Sequence, residues 1–394
     1  MKKYFFLIQL IIVFALLIVD INLSAQEYSA ETRKRIQDVE NKLISRQATS
    51  DTTRWSLSER MDHYKVPAVS IAVIENYKID WVKSYGWADK ENKIPATTQT
   101  LFQAASISKS INAIGILNWV KANDIDLHAD INTYLNSWQF KYGKKANGKK
   151  ISLANLLSHT AGLSYDGFFG YEPWQPLPTI EQILMGKKPA NSKKVKSICE
   201  PDKQFNYSGG GTLISQLMLS ENIGIPYDNY MKEKVLNILG MTNSFFTQPP
   251  PENVPLATSH WMSGTPLEGE FHIYPELAAA GLWTNPTDLG HFIIEIQKSL
   301  LGRSNLLLSQ EATKEMLTPY LKDEIPGLGY TCFGFFITKI NGKSYFSHGG
   351  NVEGSNCYYF GSMEDGKGLV IMTNSENFNI IPEIIQSVGK VYKW

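Results

Sequence analysis

The sequence predicts an α/β (α+β) fold, in which an antiparallel sheet is built from both ends of the chain, is flanked by helices and carries an inserted, mostly helical subdomain. Three observations lead there. Two β-rich runs, 68–74 and 78–82, stand near the start and are parted only by Glu75-Asn76-Tyr77. From about residue 105 to 245 the pattern changes to helical spacings and long loops. The last third returns to strand-forming runs, with Asn341-Gly342 between two of them. At 394 residues and 43% apolar composition the chain can bury a large core.

Taken in order, the chain opens with Met1-Lys2-Lys3, an apolar run over 4–19 and then Leu23-Ser24-Ala25. That is the pattern of a secretory signal, with cleavage expected after Ala25. The alternative is an uncleaved N-terminal anchor, although the run is short of the roughly 20 residues that span a bilayer. Residues 1–25 are therefore read as signal, 26–54 as an N-terminal helical extension, and 55–394 as one domain with its helical subdomain at about 105–280. The mature protein is expected in the periplasm or outside the cell, without a membrane span.

Ile36, Val39 and Leu43 predict a helix over about 29–46, and Leu57, Met61 and Tyr64 a second, short one. The two early β-runs follow. Helical segments are expected at 112–121, 153–157 and 213–219, and loops at 165–201, rich in Pro, Gly and aromatics, and at Pro249-Pro250-Pro251. A strand over 330–340, the Asn-Gly turn and a strand over 343–347 form a hairpin, because both turn positions require φ > 0. It delivers His348-Gly349-Gly350 at its far end. Strands at 356–361 and 369–373 and a helix at 380–391 close the domain.

Lysine plus arginine equals aspartate plus glutamate at 38 each, so no net field favours nucleic acid or an acidic membrane surface. Cys199, Cys332 and Cys357 are too few for a disulfide framework and are read as small buried hydrophobes, with a Cys332–Cys357 bridge as the alternative. Seven histidines without HExxH or CxxC give no reason to expect a metal or other cofactor.

Three short stretches carry chemistry. In Ser106-Ile107-Ser108-Lys109 a lysine amine follows a serine by one helical turn, and Leu101, Phe102, Ile107, Ile111 and Ile114 could desolvate it. A serine hydroxyl needs a base, and a lysine serves only if burial lowers its pKa. Taken alone, the same residues also fit an exposed Lys109 on a helix capped by Ser106. Tyr207-Ser208-Gly209-Gly210-Gly211 places a phenol before three glycines that allow close approach; near a cationic Lys109 that phenol could titrate low enough to relay protons. Alone it is equally a buried tyrosine beside a flexible turn. His348-Gly349-Gly350-Asn351 would let a substrate lie along a strand edge, with the Asn351 N–H facing an oxyanion, yet His348 alone fits a surface histidine.

In this order the three stretches resemble the serine β-lactamase and penicillin-binding-protein superfamily, with its S-x-x-K, Tyr-x-Asn and Lys/His-x-Gly elements. They look most like its class C β-lactamase, DD-peptidase and esterase branch. VPAVSIAVI, YGWAD, LLSHTAGL, LGMTNSFF, AAAGLWTNPTDLGHF and LVIMTN extend the likeness over about 55–375. The resemblance implies a β-lactamase/transpeptidase-like fold with a cleft between sheet and helical subdomain. It implies Ser106 as acylated nucleophile, Lys109 as its partner, Tyr207 as general base and proton shuttle, and His348 in the third element. The N–H groups of Ser106 and Asn351 would form the oxyanion hole, and Gly209, Gly349 and Gly350 would border the substrate.

Two departures bear on substrate. Gly209 stands where the Tyr-x-Asn element has an amide, and His348-Gly349-Gly350 replaces Lys-Thr-Gly, trading a permanent cation for a mostly neutral group. The expected function is an exported serine hydrolase that acts through an acyl-enzyme on esters or peptide amides. A β-lactamase, or a silent module binding peptidoglycan fragments, are the alternatives. Partners are small-molecule ester, peptide or β-lactam substrates, and the oligomeric state stays open.

Overall fold

A computed structural model describes residues 28–45 and 53–394; the expected signal, 1–25, lies outside them. The two ends of the chain meet in one eight-stranded antiparallel sheet, as the strand pattern predicts. Its strands are β1 (Ala68–Glu75), β2 (Lys78–Asp89), β3 (Ile94–Pro95), β6 (Tyr330–Thr331), β7 (Phe336–Ile340), β8 (Lys343–Val352), β9 (Ser355–Ser362) and β10 (Gly368–Thr373), in the order β3-β2-β1-β10-β9-β8-β7-β6. The join is β1 against β10, with Val69 opposite Thr373. A two-stranded sheet, β4 (Phe102–Gln103) and β5 (Trp283–Thr284), closes the base of the inserted region.

Both tight turns work for the same reason. Asn76 and Tyr77 have φ of 53° and 61°, and Asn341 and Gly342 have 51° and 79°, which matches the right-handed twist of the flanking strands. β1 reads as a continuous apolar run because both of its faces are covered. Val69, Ile71 and Val73 join Trp81, Leu369 and Ile371 against the helices Ala30–Glu40, Leu57–Tyr64 and Ile380–Tyr392. Ala68, Ala72 and Ile74 face Phe292 and Ile293 of the helix Pro286–Leu300 and the inserted helices beyond it. Each such side chain, fully buried, contributes about 1.5–3 kcal/mol for Val or Ile.

Three expectations change. The helix expected over 29–46 stops at Glu40, because Leu43 leaves it to exchange backbone hydrogen bonds with Trp55. The run 330–340 is two strands folded back on each other, Thr331 opposite Phe336. Gly334 in that turn has φ 76°, and a Cβ there would lie 2.6 Å from the Ala113 Cβ and 2.9 Å from the Lys109 carbonyl oxygen. The glycine thus lets the turn press onto the helix Ser108–Ala122. Within the expected loop 165–201 lies the helix Ile180–Met185, opened by a Thr179/Gln182 capping box.

All three cysteines are free, so Cys332 and Cys357 do not pair; both are buried. Among the described residues no helix is long and apolar enough to cross a membrane.

Candidate active site

Ser106 alone among residues 101–117 is not buried. It sits in a 3-10 turn, Ala105–Ile107, that leads directly into the helix Ser108–Ala122. Ala105 is held at φ 49°, a left-handed conformation that L residues other than glycine seldom adopt. The strain sits beside the one residue of this segment that reaches the cleft, where the surrounding core can hold it.

Lys109 is not the exposed lysine that the short motif alone allows: it is 4% exposed, and Ser106 caps no helix. Its Nζ donates to the Ala279 carbonyl oxygen at 2.8 Å and lies 3.0 Å from Ser106 Oγ. Burial without a charged partner drives its pKa down to about 7, because an ammonium without water is penalised and the amine is not.

Tyr207 is positioned from both sides by His159. The His159 backbone oxygen accepts from Asn206 N–H at 2.8 Å, and its Nδ1 accepts from Ser208 N–H at 3.2 Å. Its ring lies 4.3 Å from that of Tyr207. His159 is buried and lies near Lys109 and His348, so burial first and Lys109 second hold its pKa well below the ordinary histidine value. The Tyr207 ring lies 5.0 Å from Lys109 Nζ, and Ser106 is near enough to its hydroxyl to act against a rise in its pKa. The phenol does not titrate low there: loss of water pushes its pKa well above the ordinary tyrosine value, outweighing the effect of Ser106. Of the two groups beside Ser106, the amine is the one that loses its proton near neutrality.

The third element lines the other wall. β7 pairs with β8 only as far as Phe336 opposite Ser347, so from His348 onward that edge of β8 carries no strand. His348 is 3% exposed, not the surface histidine that its position alone suggests; Phe336 and Tyr207 pack on its ring at 5.3 and 6.3 Å. Burial, then Lys109, lowers its pKa to about 3. Gly350 is what lets β8 meet the turn that carries Ser106: a Cβ there would stand 2.3 Å from the Ala104 carbonyl oxygen and 2.4 Å from Cys357 Sγ. The Cys357 thiol itself donates to that same oxygen at 3.1 Å, under the turn.

Ser106, Tyr207, His348, Gly349, Gly350 and Asn351 all line one cleft of about 830 Å³, with Lys109 beneath it. Gly209 does not reach this wall; it lies under Phe168, whose ring would be 3.0 Å from a Cβ added there. Phe168 thus covers the position at which the resembling family carries an amide. Of the aromatic residues at the start of the expected loop 165–201, Phe168 and Phe169 line the cleft. Tyr165 stacks on Phe168, Tyr171 is buried against Ile273, and Trp174 is exposed elsewhere. Sequence reasoning missed Ala279, His159 and Phe336, although two of them lie in the quoted stretches AAAGLWTNPTDLGHF and LLSHTAGL. Among the described residues no cluster of side chains could hold a metal ion.

The chain shares its fold with solved structures. It matches the octameric penicillin-binding protein homologue from Pyrococcus abyssi with a TM-score of 0.70 and 22% identity, over 86% of this chain and 76% of that one. It matches the D-amino acid amidase from Ochrobactrum anthropi SV3, complexed with D-phenylalanine, with a TM-score of 0.68 and 20% identity, over 92% and 99%. In sequence it is 21% identical to the protein flp of Staphylococcus aureus strain N315 over 82% of this chain, and spans 62% of that protein's length. It is 27% identical to a beta-lactamase of Pseudomonas fluorescens, over 62% of each. The beta-lactamase family profile matches residues 56–380, which include every residue of the cleft, and the chain belongs to the beta-lactamase family.

Proposed function

We propose that the protein is a serine hydrolase that transfers an acyl group from an ester or amide through an acyl-enzyme on Ser106. The observation that carries this reading is the 3.0 Å approach of Lys109 Nζ to Ser106 Oγ, with the amine dry enough to be partly neutral at pH 7. A neutral amine has two N–H bonds and one lone pair. The Ala279 carbonyl can only accept, so it takes an N–H and leaves the lone pair for the Ser106 O–H.

Ser106 Oγ attacks the acyl carbon as its proton passes to Lys109 Nζ. Tyr207, beside Ser106 and with its ring 5.0 Å from Lys109 Nζ, carries that proton on to the leaving oxygen or nitrogen. The N–H groups of Ser106 and Asn351 hold the oxyanion. Water then releases the acyl group by the same route in reverse. Membership of the beta-lactamase family and the shared fold with a D-amino acid amidase support acyl transfer as the chemistry. The neutral His348 and the covered Gly209 position favour acyl donors other than β-lactams.

The test is intact-protein mass spectrometry after treatment with a fluorophosphonate. One adduct mapped to Ser106 and absent from Ser106→Ala is expected. An unlabelled wild-type protein would leave the cleft as a binding site without acyl chemistry. Nitrocefin turnover equal to that of a simple ester would instead point to a β-lactamase.

A further inference from the structure

His348 Nδ1 lies 2.6 Å from the Gly349 carbonyl oxygen. That oxygen can only accept, so Nδ1 carries the proton and Nε2 is left as a bare acceptor. Nε2 has no hydrogen-bond partner in the protein, although the ring is buried at the cleft wall. A buried acceptor without a partner is costly until a donor meets it. The third element therefore holds an unpartnered lone pair at the cleft wall where a lysine would hold a cation.

The charged lining residues have the same polarity. No lysine or arginine lines the cleft, and its two charged lining residues are both acids, Asp166 and Glu353. Asp166 is exposed at the rim and close enough to Tyr207 to raise its pKa. Glu353 follows β8 and lies with its Oε2 3.3 Å from His272 Nδ1, which also approaches the Phe169 carbonyl oxygen at 3.0 Å. Between these acids the walls are apolar: Phe168, Phe169, Phe336 and Phe378 line them, and Phe169 is 65% exposed.

We infer that the cleft selects acyl donors that present an ammonium or other N–H donor next to an aromatic or bulky apolar group, and disfavours donors with a free carboxylate, with Asp166, Glu353 and His348 Nε2 as the determinants. This rests on the acyl-transfer reading above and names the substrate class of that site. The aromatic group lies on the phenylalanine walls, and an ammonium at the rim meets the two acids. A carboxylate there would meet like charges, with no lysine or arginine in the lining to offset them.

The test uses three 4-nitrophenyl 3-phenylpropanoates that carry at the α-carbon an ammonium, a hydrogen or a carboxymethyl group, assayed just below neutral pH with subtraction of spontaneous hydrolysis. The expected kcat/KM falls in that order, by roughly tenfold or more between the first and last. Asp166→Asn combined with Glu353→Gln collapses the ratio toward one; comparing two substrates on one variant cancels any change in shared chemistry. Added salt shrinks the wild-type ratio because the rim charges are screened, and this arm decides the matter if the variant does not fold. A wild-type ratio at or below one, or one indifferent to salt and to both substitutions, overturns the inference while leaving acyl transfer intact. Failure to release 4-nitrophenol from all three esters, with no acyl adduct on Ser106, overturns both.

Discussion

Lys109 Nζ holds the Ala279 carbonyl oxygen and Ser106 Oγ at once, at 2.8 and 3.0 Å, in a pocket that no opposite charge enters. The bond to Ala279 fixes the amine, and the absence of a counter-charge lets burial lower its pKa to about 7. In the proposed mechanism the amine acts as the base and must be neutral. The wild-type kcat/KM should therefore rise with pH through a midpoint near 7, and Lys109→Met should lose that limb together with about 10²–10⁴ of the rate. Survival of the same limb in the variant would assign it to another group.

The same shift predicts a stability profile. In the folded protein Lys109 loses its proton near 7, whereas in the unfolded chain a lysine keeps it to about 10.4. Between those values the unfolded state binds the extra proton, so unfolding free energy should climb with pH across that window and be flat below it. Lys109→Met should remove this contribution to the slope and raise stability at pH 6, where the wild type buries a charge. Denaturant titrations of both proteins at pH 6 and 9 read the difference directly.

Tyr207 has a different task. Its hydroxyl, close to Ser106, stays protonated, while its ring packs on His159. Tyr207→Phe keeps the ring contacts and removes the proton relay. It should cost about 10²–10³ in kcat/KM and leave the thermal midpoint within a degree or two of wild type. An equal loss in Tm would make the hydroxyl structural instead.

Gly349 and Gly350 should behave oppositely despite being neighbours. A methyl group on Gly350 meets a backbone oxygen and a sulfur at under 2.5 Å, whereas on Gly349 its nearest neighbour is Tyr358 Cδ2 at 3.5 Å. Gly350→Ala must push β8 off the nucleophile turn, at about 1–3 kcal/mol and with a large loss of Ser106 labelling. Gly349→Ala should fold and label at near wild-type rate with a neutral fluorophosphonate. Rate constants for labelling, with Tm for each variant, separate the two.

Local signals made most of this architecture readable. Asn341-Gly342 fixed the hairpin because few residue pairs accept two positive φ angles, and the continuous apolar run of β1 matches its two covered faces. The site residues were readable as an ordered set, since each motif alone had an ordinary explanation. What stayed hidden depends on distant partners. Lys109 and Ala279 are 170 positions apart. The burial of His348 comes from Phe336 and Tyr207, and the positive φ of Ala105 is imposed by packing that no alanine signals. The helix at Ile180–Met185 had a local signal in Thr179 and Gln182, masked by the proline and glycine around it.

The layer opposite the cleft offers a final prediction, about stability alone. Arg60 Nε and Nη2 bind both carboxylate oxygens of Glu383 at 2.7 Å, and the Tyr64 hydroxyl donates to one of them at the same distance. Both charged side chains are almost wholly buried, and they tie the helix Leu57–Tyr64 to Ile380–Tyr392. Arg60→Met takes the bidentate cation from a buried carboxylate and should cost about 3–5 kcal/mol, whereas Arg60→Met with Glu383→Leu removes both charges and should recover most of that loss. Because this pair lies on the face of the sheet away from Ser106, the double variant should label with fluorophosphonate at the wild-type rate. A double variant as unstable as the single one would show that the pair contributes through its geometry rather than by neutralising a buried charge.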